Sequence, residues 1–391
     1  MHSDTSPLAL GYATPAMLGR AFGTLAAARP VYDDTFLQVP MILRRADVLA
    51  ALRSPEIYSN RCFSVGPLVA SPIALDGAQH ARIRRVYNRF FAPAAVARYE
   101  AEVVEPVARA LIEDLAGEPS VELIAGFATR LPIAVMSRLL ELPADAMERT
   151  QRWTQALISW IVAPFRPEVV EAGQQAEQSL RGFVRPRIEA ELEHPGASLL
   201  GEIVRGVQAE GDGTVAECEN TAMSLVVAAY ETTTAMLASV LGALLLHPDL
   251  LAQARADRQR LAPTLEEAMR WGNVVPFLLR ALTRDVTLDG VTLAAGSVVA
   301  LCTTSVNYDA ELHPDPERLD ITRKQSHVTF GSGPHYCVGA PLARIEARVG
   351  LALLLDRFPE LRLDPTRPPE FRFGARGITM FVPDALHVLR G

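Results

Sequence analysis

From Thr221 to Leu246 the chain carries one charged residue, Glu231, in an otherwise largely apolar run. A helix of that length and composition is hydrophobic all round. It belongs either in a bilayer or at the centre of a large helical body. Glu231 decides between the two. It sits mid-run, followed by Thr232, Thr233 and Thr234, and a carboxylate there would be costly in lipid. The run is therefore predicted as the buried core helix of a soluble protein, and a core helix needs other helices to cover it.

The periodicity supplies them. Helical patterns are predicted over 46–52, 104–115, 127–140, 144–163, 177–193 and 216–246, with Pro-containing turns between them. A further helix is predicted over 264–271, with Thr264 as N-cap. Strand-like pieces sit nearer the ends: Gln38 to Leu43, Gly296 to Thr304 and Pro369 to Pro383. Arg284 to Leu293 reads as a hairpin turning on Asp289-Gly290. The fold class is mainly α with small β-sheets. The 391 residues would normally suggest two or three domains, but no linker, low-complexity tract or repeat divides them. One domain over 1–391 is the expectation: a β-containing part at about 30–75, a helical body at about 80–275, and a mixed part at about 276–391.

Composition removes several function classes. Net charge is −7, and no Lys/Arg block marks a nucleic-acid surface. Cys62, Cys218, Cys302 and Cys337 are scattered without metal-ligand spacing, which argues against a disulfide framework or structural zinc and fits a reducing cytoplasm. The N-terminus shows no signal peptide.

Chemistry concentrates in Phe330-Gly-Ser-Gly-Pro-His335-Tyr-Cys337-Val-Gly339. A cysteine between glycines precedes a helical run, Ala340 to Leu355. Its position ahead of a helix N-terminus favours a thiolate. Glycines let the backbone pass close to a flat ligand. A buried cysteine in a Gly-rich turn is the bland alternative.

These ten residues resemble the haem-binding loop of the cytochrome P450 family at every fixed position, and Ala340-Pro-Leu-Ala-Arg-Ile-Glu346 resembles that family's proximal helix. The likeness spans about Val39 to Val382. It implies haem b held by Cys337, with Phe330 and Gly339 shaping the loop. It also gives three further sets of residues an expected role. Glu231-Thr232 resembles the family's acid–alcohol pair, which passes protons to O2. The usual Gly is Ala229 here, and Tyr230 beside it is also unusual. A locally paired polar turn is the alternative for that motif. Glu267-Ala-Met-Arg270 resembles the family's Glu-x-x-Arg, with Arg318 as third member of a structural triad holding the meander behind the cysteine. His80, Arg84, Arg280 and His335 match the positions that grip the haem carboxylates, whose desolvation charged hydrogen bonds offset. Taken singly, each reads as a surface charge.

By position the resemblance draws the substrate pocket from Phe63, Val65, Leu68, Leu225, Ala228, Ala229, Val275, Phe277, Leu278, Ile378 and Thr379, nearly all apolar. Core packing is the alternative for each. An apolar pocket suits a lipophilic small molecule such as a terpenoid, steroid, fatty acid or polyketide. The implied reaction is RH + O2 + two electrons + two protons giving ROH + H2O. The electrons would come from NAD(P)H through a ferredoxin reductase and an acidic iron–sulfur ferredoxin, because no electron-transfer module fits beside this domain. Arg85, Arg89 and Arg344 are candidates for the ferredoxin surface. The expected protein is a cytoplasmic monomer. Two alternatives stay open: a peroxygenase or isomerase on the same fold, and a non-enzymatic haem protein that binds a ligand.

Overall fold

A computed structural model describes residues 5–390 apart from 65, 118–119, 144–145, 195, 211–212, 325 and 376–379. Helices account for 61% of it, as a core helix without polar faces requires. Six of them position the site: α1 (Gly77–Phe90), α2 (Met147–Val162), α3 (Pro167–Glu193), α4 (Val215–Leu245), α5 (Leu261–Gly272) and α6 (Ala340–Arg357).

The apolar run is α4. Thr214 caps it by accepting the Glu217 N–H at 3.2 Å, with an acid three residues on as in a capping box. Beyond its first turns nearly every residue is buried. It packs against α2, α3, α5, α6 and the helices Arg130–Leu139 and Leu199–Glu210. Its apolar window is 83% buried inside the molecule, so this is a core helix and its length needs no bilayer.

Beside the helical body lies a five-stranded sheet: β1 (Val31–Asp34), β2 (Val39–Ile42), β3 (Tyr58–Ser59), β4 (Phe277–Leu282) and β5 (Val298–Cys302), in the order β1-β2-β5-β4-β3. The β2–β5 pair is parallel and the other pairs are antiparallel. Strand alternation places Leu278 and Arg280 on one face of β4, and Phe277 and Leu279 on the other. The hairpin forms as predicted, with Asp289 and Gly290 at φ 48° and 83° in its two-residue turn.

Several boundaries differ from the sequence reading. Helix α3 begins at Pro167, because proline at the first helical position loses no hydrogen bond. Thr264 is not an N-cap: α5 starts at Leu261, and the Thr264 hydroxyl donates back to the Arg260 carbonyl at 2.7 Å. Helix Pro15–Ala28 lies outside the predicted spans, and Leu199–Glu210 falls within the predicted helical body without a span of its own.

Candidate active site

Cys337 enters the site on a loop braced from three directions. Gly331 and Gly333 adopt φ 73° and 72°, and a Cβ on Gly333 would meet the Leu52 carbonyl oxygen at 2.5 Å. Cys337 N–H donates to the Phe330 carbonyl at 2.9 Å, closing the loop on itself. Asn307 ties the loop's start down: its Oδ1 accepts the Val328 N–H at 2.8 Å, and its Nδ2 donates to Thr329 Oγ1 at 3.1 Å. The cysteine nonetheless presents accessible surface, unlike the buried Cys218 and Cys302. Burial of the sulfur among protein atoms pushes its pKa up. The N–H groups of Gly339 and Ala340 bond toward it, and the charges of Arg84 and Arg344 act in the opposite sense to burial.

Arg344 braces the loop from α6. It forms a bidentate pair with Glu266 at 2.6 and 2.9 Å and lies over the Phe330 ring at 4.5 Å. His327 also reaches Glu266, at 3.1 Å. Burial raises the Glu266 carboxyl, but these bonds and charges outweigh it and hold the group at about 2. The next residue, Glu267, serves the other side of α5. Arg270 donates to both its oxygens at 2.8 Å and to the Asn307 carbonyl at 2.8 Å.

The third member of that triad is Arg323, not Arg318. Arg323 Nε donates to Glu267 at 3.1 Å, and its other nitrogens hold the carbonyls of Pro314, Asp315 and Arg318. The Arg318 side chain is 71% exposed and reaches only Asp320, at 3.6 Å. The turn from Asp315 to Arg318 points the Arg318 backbone carbonyl inward and the Arg318 guanidinium outward.

The middle of α4 opens where the rest of the helix is closed. Ala228, Ala229 and Thr232 carry accessible surface between buried neighbours. Their spacing puts them on one face. Thr232 Oγ1 donates to the Ala228 carbonyl at 2.6 Å, and the helix stays α-helical through Ala229. Tyr230 is buried, away from that opening. Glu231 is buried too, and its Oε2 has no hydrogen-bond partner among the described residues. Burial pushes this carboxyl up to about 7.

His80, Arg84, Arg280 and His335 come together as one cluster. The rings of His80 and His335 lie 4.1 Å apart, and Arg84 and Arg280 are close enough to act on the two imidazoles. Burial lowers His80, and the Arg84 charge adds to it. Burial pushes Arg280 down to about 10, against the charges of Cys62 and Asp76. His80 Nε2 is buried with no partner among the described residues. Among the described residues, the Arg280 side chain bonds to its neighbour's carbonyl, Leu279, at 2.7 Å. His335 lies in the cradle as the sequence predicts, but both its ring nitrogens are engaged inside the protein, by Asp76 and Asn60.

This donor set fits a haem. An accessible cysteine stands ahead of a helix, and two arginines with an unpartnered imidazole nitrogen supply donors for its carboxylates. Sequence reasoning missed Asp76, Asn60, Glu266, Asn307 and Arg323. Each acts through a partner distant in sequence, so none carries a local signal.

Of the pocket residues, Leu68 and Leu225 are buried in the main core, and Phe63, Val275 and Leu278 are half-buried. Phe277 is a correction: it lies on the opposite face of β4 from Leu278, and its ring packs on Phe373 at 5.6 Å. Val65, Ile378 and Thr379 lie outside the described residues. Arg85 and Arg89 are exposed, but both pair with Glu210, at 2.6 and 3.5 Å.

The sequence profile of the cytochrome P450 family matches residues 144–385. A C-19 steroid 1alpha-hydroxylase of Sorangium cellulosum is 40% identical over 98% of this chain and 99% of its own length. The cytochrome P450 monooxygenase PikC of Streptomyces venezuelae is 34% identical over 90% of this chain and 85% of its own. The solved structure of cytochrome P450 260B1 from Sorangium cellulosum So Ce56 superposes with a TM-score of 0.95, at 39% identity, covering 99% of this chain and 98% of that one.

Proposed function

The chain belongs to the cytochrome P450 family and is a monooxygenase of it, and from that premise we propose a substrate class, an electron route and a role for each site residue. Membership implies haem and O2; when bound, haem supplies the iron at which O2 is activated. Cys337 is the residue that would hold the haem iron, through its sulfur. Holding the iron would require Cys337 as the thiolate although burial favours its thiol, and the Gly339 and Ala340 N–H groups would steady that sulfur charge. His80, Arg84, Arg280 and His335 would hold its carboxylates. Glu267, Arg270 and Arg323 are structural.

Thr232 and Glu231 handle protons. Thr232 carries its hydroxyl at the α4 opening and parks it on the Ala228 carbonyl. Rotation about χ1 would turn that proton toward the opening. With a pKa of about 7, Glu231 both takes and releases a proton near neutrality.

The observation that carries this reading is the accessible stripe of Ala228, Ala229 and Thr232 on a helix buried along most of its length. The stripe and the accessible Cys337 are the surfaces that would border a bound haem. Leu68, Leu225, Val275 and Leu278, with Phe63, would wall the space with apolar surface.

A rigid, lipophilic substrate suits such walls. The 40%-identical relative is named for a C-19 steroid, and the same class is our reading here. Electrons come from a ferredoxin and its reductase, and the protein is a cytoplasmic monomer. Titrating C-19 steroids, fatty acids and macrolides into the ferric protein tests the substrate class. The steroids should shift iron to high spin at the lowest concentration. A shift with fatty acids or macrolides alone overturns the class.

A further inference from the structure

We propose that Asn273 is a positioning residue that ties the substrate wall to the cysteine loop: a buried chain of hydrogen bonds runs from the Val275 carbonyl through Thr303, Asn273 and Asn307 to Val328 and Thr329, and keeps the two sides in register. The proposal rests on the haem-thiolate reading above, which makes Val275 part of a wall and Cys337 the iron-holding residue.

Asn273 stands between α5 and β4 at φ 27°, a left-handed conformation that few residues other than glycine adopt. Such a residue persists only where its surroundings hold it. Here the side chain does the holding. Its Nδ2 donates to Thr304 Oγ1 at 2.7 Å and to Thr303 Oγ1 at 3.2 Å. Thr303 in turn donates its hydroxyl proton to the Val275 carbonyl. At the other end, Val328 and Thr329 lead into Phe330, whose carbonyl accepts the Cys337 N–H at 2.9 Å.

The chain has one arrangement. A backbone N–H only donates, so the Asn307 atom that meets the Val328 N–H at 2.8 Å is Oδ1. Asn307 Nδ2 is thereby aimed at Asn273, at 2.9 Å, and at Thr329 Oγ1, at 3.1 Å. The Asn273 atom facing that nitrogen must accept, so it is Oδ1, and Nδ2 is left for the two threonines. The Thr329 hydroxyl donates onward to the Met269 carbonyl at 3.1 Å. Both amides spend both protons inside the protein. Asn273, Thr303, Thr304 and Asn307 are all buried, where an amide turned over would leave polar atoms unpaired. Apolar packing alone sets no such direction; this chain fixes the Val275 backbone relative to the loop that carries Cys337.

The test reads each end of the chain separately in the holoenzyme. The wall is read by the spectral dissociation constant of 4-phenylimidazole, an azole that ligates haem iron whatever the natural substrate. The loop is read by the lifetime of the red-shifted Soret band of the reduced carbon monoxide complex in mild urea. Thr303→Val keeps the side-chain shape and frees the Val275 carbonyl; it should weaken the azole about three- to tenfold, the effect of one buried hydrogen bond, and leave the band lifetime at the parent value. Thr329→Val should do the reverse. Asn273→Gly suits the positive φ, so the backbone is not strained, and it should move both readouts. Adding Thr303→Val to Asn273→Gly should weaken the azole no further, because both cut one chain. A merely structural role would move both readouts together in all three variants, in step with the denaturation midpoint, and would overturn the proposal. So would parent values in Asn273→Gly, or additive effects in the double variant. A parent without the red-shifted band sinks the haem-thiolate reading and the proposal with it; the other outcomes strike the proposal alone.

Discussion

The acid–alcohol turn of α4 and the triad on α5 bury carboxylates about equally well: Glu231 is 8% exposed and Glu267 is 4%. Their surroundings differ completely. Glu267 takes bonds from Arg270, from Arg323 and from the Asp320 N–H. Glu231 has an oxygen with no partner among the described residues. A carboxylate tied on every side is a structural clamp whose charge is always needed. One with an oxygen left unpartnered is held near neutral by desolvation and is free to exchange a proton. The contrast teaches where the fold tolerates instability: beside the opening on α4, and not behind the cysteine loop.

Removing a tied group should therefore cost stability, while neutralising an untied one should add it. The largest effect is expected at Arg323. Arg323→Ala leaves Glu267 partly uncompensated and the meander carbonyls without donors, at a cost of about 3–5 kcal/mol in chemical denaturation. Arg318→Ala should stay within about 0.5 kcal/mol. Equal losses would restore Arg318 to the triad.

Next come the untied acids. Burial raises Glu231 from 4.5 to about 7 and Glu346 on α6 from 4.5 to about 8, and each has an unpartnered oxygen. A carboxyl with a raised folded-state pKa binds more protons folded than unfolded. Its contribution is complete below 4.5 and is lost as pH rises through the folded value. Stability should fall between about pH 5 and 8, by several kcal/mol in total. Glu346→Gln should flatten the upper part of that slope with turnover near the parent's. Glu231→Gln should flatten the lower part and slow turnover by about 10²-fold or more. A slope unchanged by both substitutions would mean that neither acid is held neutral.

The smallest effect belongs to the surface. Because Arg85 and Arg89 already share Glu210, charge reversal at either should raise the KM for an acidic ferredoxin only a few-fold, with the change fading at high salt. No change at low salt would remove them from the docking surface.

Much of the site was legible because its features are local. The glycine–cysteine loop, the acid within an apolar run and the Glu-x-x-Arg spacing each lie within a few residues, and each departs from what plain core packing would choose. What escaped depends on distant partners. Asp76 meets His335 across 259 residues, and Glu267 meets Arg323 across 56. Glu266 and Glu267 are adjacent in sequence yet brace different structures, because helical rotation points them apart. Arg318 and Arg323 are equivalent in composition, and only the path of the turn between them decides which guanidinium faces inward. Phe277 failed for a related reason: strand alternation separates it from Leu278, and the register could not be read without the partner strand.

The most direct test of the account is the coupling of electrons to product in Thr232→Ala, measured with a ferredoxin, its reductase and a steroid that shifts the spin state. The account predicts that reduced cofactor is still consumed while hydroxylated product falls and peroxide rises. Unchanged product per electron would contradict it, leaving the opening on α4 without the proton-delivery role assigned to Thr232 and Glu231.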